Sequence, residues 1–168
     1  LIHSPTPLEY LDNLTKHFGG PKIYIKRDDC TGLAFGGNKS RKLEFLMGDA
    51  IANKSDVVIT AGAVQSNHCR QTAAAATKLG MECIIVAKPS WSKDYNGNLF
   101  LDELLGAKLV LIEDDNEALD QSGKLSMEET IDNLMTDLKN EGKNPYYIPV
   151  GGSNSIGSLG YISMTMEL

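Results

Sequence analysis

The amino-acid sequence predicts an α/β fold with mainly parallel strands flanked by helices, on two observations. Short apolar or β-branched runs alternate with helical patterns along the whole chain, as in successive βαβ units. Two of these runs, Asp-Val-Val-Ile-Thr at 56–60 and Cys-Ile-Ile-Val-Ala at 83–87, are continuous rather than alternating, as expected of strands covered on both faces.

Taken in order, residues 1–20 hold Pro5, Pro7 and a short helical pattern through Leu8, Leu11 and Leu14, ended by Gly19-Gly20-Pro21. Residues 22–26 read as a strand with Ile23 and Ile25 on one face. A turn-like segment at 30–38 leads into a helix at 39–53, where Leu43, Leu46, Met47, Ala50 and Ile51 form a core stripe. The strand at 56–60 passes through Ala61-Gly62-Ala63 into Gln65-Ser66-Asn67-His68, and a helix runs on to Leu79. Its four alanines, 73–76, keep it thin enough to pack close to a sheet. After the strand at 83–87, residues 89–98 read as a loop holding Trp91 and Tyr95. A helix at 99–105 and a strand at 108–112 follow. Ser126 and Glu129 form a capping box before Ile131, Leu134, Met135 and Leu138. A strand at 146–150, interrupted by Pro149, then turns through Gly151-Gly152-Ser153-Asn154 into a helix from about residue 156.

The 168 residues suffice for one ordinary domain with a real core. Hydrophobic residues at 42% and charged residues at 23% are a soluble globular composition. A net charge of −6 speaks against a general nucleic-acid binder. No apolar run reaches bilayer length, and no secretory pattern opens the chain. Cys30, Cys69 and Cys83 are odd in number and widely spaced. They fit neither a disulfide framework nor a zinc site and favour a reducing, cytoplasmic setting. Glu113-Asp114-Asp115 reads as a solvated cluster rather than a metal site, and no metal is expected. Rossmann and Walker phosphate loops are absent. A start at Leu1 rather than Met, and an end at Met166-Glu167-Leu168, give the expectation of a chain cut at both ends.

In a parallel sheet the ligand crevice lies beyond the carboxyl ends of the strands. Three polar or glycine-rich turns follow strands, at 36–39, 62–68 and 151–154. The first delivers Lys39 into the first turn of a helix, where the dipole favours an acidic residue. A field that disfavours the ammonium makes the neutral amine, the nucleophile of Schiff-base chemistry, more available. The alternative is a solvated lysine near a helix start. The second turn opens a helix with Ser66-Asn67-His68, whose N–H groups and hydroxyl form a seat for a carboxylate. Asn67 can donate to a phenolate-like oxygen, and His68 can donate a hydrogen bond or move a proton. The alternatives are an ordinary N-cap at Ser66 and a packed or surface histidine at 68. An amine beside a carboxylate seat points to carbonyl or amino-acid chemistry.

Gly36-Gly37-Asn38-Lys39-Ser40-Arg41-Lys42-Leu43-Glu44, Gly62-Ala63-Val64-Gln65-Ser66-Asn67-His68 and Arg70-Gln71-Thr72-Ala73-Ala74 together resemble one family. It is the pyridoxal-phosphate-dependent 1-aminocyclopropane-1-carboxylate deaminase / D-cysteine desulfhydrase family. Pro5-Thr6-Pro7-Leu8-Glu9, Tyr24-Ile25-Lys26-Arg27-Asp28-Asp29 and Ile148-Pro149-Val150-Gly151-Gly152-Ser153-Asn154 extend the likeness, in the family's order, over nearly the whole chain. His68, where the deaminase usually has glutamine, and Asp29-Cys30-Thr31-Gly32-Leu33 resemble the D-cysteine desulfhydrase and L-cysteate sulfo-lyase branch. Tyr95-Asn96-Gly97-Asn98 points to the sulfo-lyase.

The resemblance implies a tryptophan-synthase-β-like, fold type II pyridoxal-phosphate enzyme. Residues 1–45 and 147–168 would belong to an incomplete large cofactor domain, and 46–146 to a small α/β domain. It implies pyridoxal 5′-phosphate on Lys39, which would later act as base at Cα. Lys42, one turn along the same helix face, would contact the phosphate. Asn67 would bond the pyridoxal 3′ oxygen, while Ser66, Asn67 and His68 would hold the substrate carboxylate. The reaction would be α,β-elimination of sulfide from D-cysteine or sulfite from L-cysteate, in a homodimer. The family's phosphate loop, pyridine-nitrogen partner and ring tyrosines lie beyond the matched part. The rivals are the ring-opening deaminase and a non-catalytic binding module.

Overall fold

The computed structural model describes residues 1–88, 95–112 and 126–168. Part of the 89–98 loop, including Trp91, and the Glu113-Asp114-Asp115 cluster lie outside them. Four strands form one parallel sheet: β3 (Val57–Ala63), β4 (Glu82–Lys88), β5 (Lys108–Leu111) and β6 (Pro145–Ile148), in the order β5-β4-β3-β6. The short β1 (Leu8–Tyr10) and β2 (Tyr24–Lys26) pair antiparallel in a separate ribbon. That pairing corrects the sequence reading at Leu8. Its backbone faces Lys26 across the ribbon, and the helix α1 begins only at Asp12 (Asp12–Phe18).

The continuous apolar strands are covered on both faces, as their patterning requires. Val58, Cys83, Ile85 and Ile148 pack under α2 (Lys39–Ala52) and α3 (Asn67–Lys78), against Leu43, Leu46, Met47 and the fully or nearly buried alanines 73–76. Val57, Ile59, Ala61, Ile84 and Val86 face the other way, under Ile131 and Leu138 of α5 (Met127–Asn140). Both bonds of the Ser126–Glu129 capping box open α5. Between β4 and β5 stands α4 (Gly97–Leu104). Ile51 departs from the expected core stripe of α2, being half exposed.

Strand β3 continues through Ala61-Gly62-Ala63, whereas the sequence reading ends it at Thr60 and begins the turn at Gly62. All three residues pair with β4, down to Ala63 opposite Lys88. The sheet grows from β3 toward β4 and β5 on one side, and β6 returns to the other side of β3. The strands stay parallel, but the side on which they are added to the sheet therefore switches at β3, between β4 and β6. That is the switch point at which parallel sheets open a crevice beyond their carboxyl ends.

Helix α6 (Ser155–Thr165) lies across α2 at very close range. A Cβ on Gly160 would stand 2.1 Å from the Arg41 carbonyl oxygen, and one on Gly157 would stand 2.1 Å from that of Gly152. The contact is locked by charge. The Arg41 side chain, 2% exposed, bonds Asp28 at 2.9 Å, Thr6 at 2.9 Å and Glu167 at 2.8 Å. Lys26 adds a 2.6 Å ion pair to Glu167. A guanidinium taken out of water needs this full set of partners, and they tie β2, α2 and the end of α6 together. Among the described residues no helix is long and apolar enough to cross a membrane.

Candidate active site

The turn before α2 is built from residues in unusual backbone conformations. Ala34 and Phe35 both have positive φ, at 44° and 67°. Gly36 follows at φ 69°, where a Cβ would meet the Asp29 carbonyl oxygen at 2.1 Å, so only glycine is accommodated. The Gly37 N–H donates to the Asp28 carbonyl at 2.9 Å, and α2 begins two residues later at Lys39. Asn38, the N-cap, makes no side-chain bond to the helix. The first turn of a fourteen-residue helix is thus presented with no side-chain cap.

Lys39 and Lys42 both reach the turn after β6. The Lys39 Nζ stands 3.5 Å from the point a Gly151 Cβ would occupy. Lys42 Nζ donates to the Gly151 carbonyl at 3.1 Å and to the Ser153 hydroxyl at 2.8 Å. Burial, and secondarily the charge of Lys39, lower the pKa of Lys42. Its hydrogen-bond partners are a carbonyl and a hydroxyl, neither of which neutralises its charge.

The turn after β3 lies opposite. Ser66 is the N-cap of α3, its Oγ accepting from the His68 N–H at 3.2 Å and the Cys69 N–H at 3.3 Å. Asn67 is exposed, with its amide 3.5 Å from Asn38 Oδ1 on the Lys39 side. His68 points inward. It is 2% exposed, with Nε2 2.9 Å from Thr60 Oγ1. Burial, then the charges of Lys39 and Lys42, push its pKa down to about 4, against a small opposing effect of the Pro149 backbone. The imidazole is neutral at physiological pH and belongs to the core.

Several residues that sequence reading passed over complete the site. Ser153 and Gly151 receive Lys42, and their signal was the third glycine-rich turn after a strand. Gln71 and Ser40 bond each other at 2.6 Å behind Lys39, both fully buried. Gln71 lies one turn beyond Asn67 on α3, a spacing that brings two side chains to one face. Arg70 Nε donates to the Ala34 carbonyl at 3.0 Å and its guanidinium stands 5.7 Å from the Phe35 ring centre, supporting the strained turn. Cys69 and Cys83 are buried, their thiols each pushed up to about 12 chiefly by burial, and are inert as nucleophiles.

A family model for pyridoxal-phosphate dependent enzymes matches residues 1–168. The chain belongs to this family. It is 47% identical over 173 residues to a D-cysteine desulfhydrase of Klebsiella pneumoniae (strain 342), covering all of this chain and 50% of that protein. A D-cysteine desulfhydrase of Salmonella paratyphi B is 45% identical, with the same coverage. The crystal structure of an ACC deaminase homologue superposes with a TM-score of 0.85 at 42% identity, covering 99% of this chain and 48% of that one. A diaminopropionate ammonia lyase of Escherichia coli, 19% identical with a TM-score of 0.68, shares the fold. The chain spans about half the length of the curated relatives it matches, and its fold is that of the fold type II pyridoxal-phosphate enzymes.

The residues present suit the family's cofactor. Pyridoxal 5′-phosphate brings an aldehyde, a phosphate dianion and a phenolate-type oxygen. Around the turns that follow β3 and β6 and precede α2 stand two lysine amines, a helix N-terminus without a side-chain cap, the Ser66 and Ser153 hydroxyls and the Asn67 amide. The positive φ of Gly151, 67°, leaves the side of the crevice facing Lys39 without a side chain. Among the described residues, no group of three or more His, Cys, Asp or Glu is placed to hold a metal ion.

Proposed function

We propose that the protein is a pyridoxal-phosphate lyase that removes sulfide from D-cysteine, with pyruvate and ammonia as the other products. The observation that carries this is the meeting of Lys39 and Lys42 at Gly151, opposite Ser66 and Asn67, at the switch point between β3 and β6. The likeness to the two desulfhydrases supports the choice of substrate.

When bound, the cofactor supplies a sink for the electron pair released at the substrate Cα. Lys39 would supply the amine that holds its aldehyde carbon and would take the proton from the substrate Cα. Lys42 would bind the phosphate with the donor that its bonds to Gly151 and Ser153 leave over. Asn67 donates to the 3′ oxygen. Ser66, whose oxygen accepts two backbone N–H bonds, would turn its hydroxyl proton from the neighbouring Cys69 sulfur to the substrate carboxylate, alongside the Asn67 amide. His68, whose N–H already donates to Ser66 Oγ, would serve the same seat through the ring that pins α3 to the sheet, rather than by charge. The outgoing sulfide leaves from Cβ, and water completes the release of pyruvate and ammonia.

L-Cysteate, losing sulfite, is a second reading. Within the Tyr95-Asn96-Gly97-Asn98 stretch that suggests it, residues 96–98 are held against the Ser66 turn, where Gln65 Nε2 donates to the Asn96 carbonyl at 3.1 Å and Asn98 Nδ2 to the Gln65 carbonyl at 2.7 Å. We also propose a cytoplasmic homodimer, consistent with three free cysteines. In it residues 1–45 and 147–168 serve a large cofactor domain and 46–146 a small one.

The test offers D-cysteine, L-cysteate and 1-aminocyclopropane-1-carboxylate to the protein with pyridoxal phosphate and follows sulfide, sulfite and ammonia. Equimolar sulfide and pyruvate from D-cysteine, lost in Lys39→Ala, are expected. Ammonia from the cyclopropane substrate without sulfide from D-cysteine would make it a deaminase. Tight amino-acid binding with no product would make it a binding module.

A further inference from the structure

We propose that Gln71 is a positioning residue for Lys39, acting through Ser40. This rests on the reading that Lys39 carries the cofactor. The Gln71 side chain crosses from α3 to α2, where its Oε1 accepts the Ser40 hydroxyl at 2.6 Å. Both residues are fully buried. Thr31, also fully buried, accepts the Gly37 N–H at 2.9 Å and donates to the Asp28 carbonyl at 2.8 Å. Its Oγ1 lies 3.4 Å from that of Ser40. Gly37 and Ser40, which bracket Asn38 and Lys39, are therefore each tied to a buried side chain. Asn38 makes no side-chain cap, and these ties join those of Arg41 and of Tyr161, which donates to the Asn38 carbonyl at 3.2 Å, in fixing the first turn of α2 from outside the helix.

Stability does not account for a glutamine at this position. Its Nε2 is buried and has no hydrogen-bond partner among the described residues. An apolar side chain of similar shape would avoid the cost of that orphaned donor. The nitrogen instead occupies the space a Gly37 side chain would need, 2.7 Å from the point of its Cβ, and the Asn67 amide lies 3.6 Å from the same point. Gln71 thereby wedges the turn that presents Lys39 against the turn that presents Asn67. The bond to Ser40 sets the direction in which Lys39 leaves the helix, and the wedge sets its separation from the seat across the crevice.

The experiment follows the reaction of pyridoxal phosphate with the chain by absorbance, traps the adduct with borohydride and locates it by peptide mass spectrometry. Gln71→Leu, Ser40→Ala and the double variant are compared with the unaltered chain, each with its melting temperature. Gln71→Leu is expected to slow labelling of Lys39 about five- to tenfold, the scale of one hydrogen bond. It should also divert part of the label to Lys42, with only a small change in melting temperature, because removing the orphaned Nε2 offsets the loss of the Ser40 bond. Ser40→Ala should do the same, and the double variant should lose no more than either single one. Gln71→Glu, which keeps the acceptor, should restore the preference for Lys39.

Wild-type rate and wild-type site preference in Gln71→Leu would overturn the proposal, as would additive losses in the double variant. If Gln71→Leu does not fold, Ser40→Ala decides alone, and an unchanged Lys39 preference overturns it. Failure of the underlying reading looks different, because the unaltered chain would then be labelled elsewhere than Lys39.

Discussion

Thr60 Oγ1 gives its proton to the Ile148 carbonyl at 2.9 Å, so His68 Nε2, 2.9 Å away on the other side, must be the donor in its bond to that oxygen. One hydroxyl thereby joins α3, β3 and β6 at the switch point and fixes the histidine tautomer. The remaining ring nitrogen, Nδ1, is buried and unpartnered among the described residues. A second proton there would meet both desolvation and the two lysine charges.

The pH dependence follows with a definite sign. An unfolded histidine titrates near 6.5, whereas folded His68 stays neutral down to about 4. Above pH 6.5 neither state binds the proton and there is no penalty. As pH falls from 6.5 to 4 the unfolded chain gains a proton that the folded chain does not, and stability drops by roughly 3 kcal/mol over that range. Urea titrations between pH 7 and pH 4.5 should show this slope reduced in His68→Asn relative to the unaltered chain. Equal slopes would mean that His68 is accessible to protons in the folded state.

Lys42 is expected to act on the phosphate alone. Lys42→Met should weaken binding of pyridoxal phosphate by about ten- to a hundredfold, the scale of a hydrogen bond to a charged group. Binding of pyridoxal, which lacks the phosphate, should change little. Equal losses for the two ligands in equilibrium titrations would assign Lys42 to another part of the site.

Gly160→Ala should undo the seat of α6 on α2. The new Cβ would fall 2.1 Å from the Arg41 carbonyl oxygen, and backbone on both sides leaves no flexible group to yield. The expected cost is about 3 kcal/mol, read as a lower urea midpoint. Gly48→Ala, on the same α2 helix with nothing within 4 Å of the new atom, should be neutral or mildly stabilising.

The parallel sheet was legible because Val57 to Thr60 and Cys83 to Ala87 are buried on both faces and so carry no alternation to misread. The Ser126–Glu129 box was legible because its bonds are local. Leu8 was misread because three leucines at helical spacing say nothing of the ribbon partner at Lys26. At the site, Lys39 was visible as a cation placed against a helix dipole. The depth of His68 was not, since it depends on Thr60 and Ile148, eight and eighty positions away in sequence. Gln71 escaped notice for the same reason: its partner, Ser40, lies 31 residues earlier.

The central claim is that Lys39 is the lysine that holds the cofactor. Incubating the chain with pyridoxal phosphate, reducing with borohydride and mapping the modified peptide tests it directly. A pyridoxyl group on Lys39, absent from Lys39→Ala, is the predicted result. A group on Lys42 or any other lysine that persists undiminished in Lys39→Ala would contradict it.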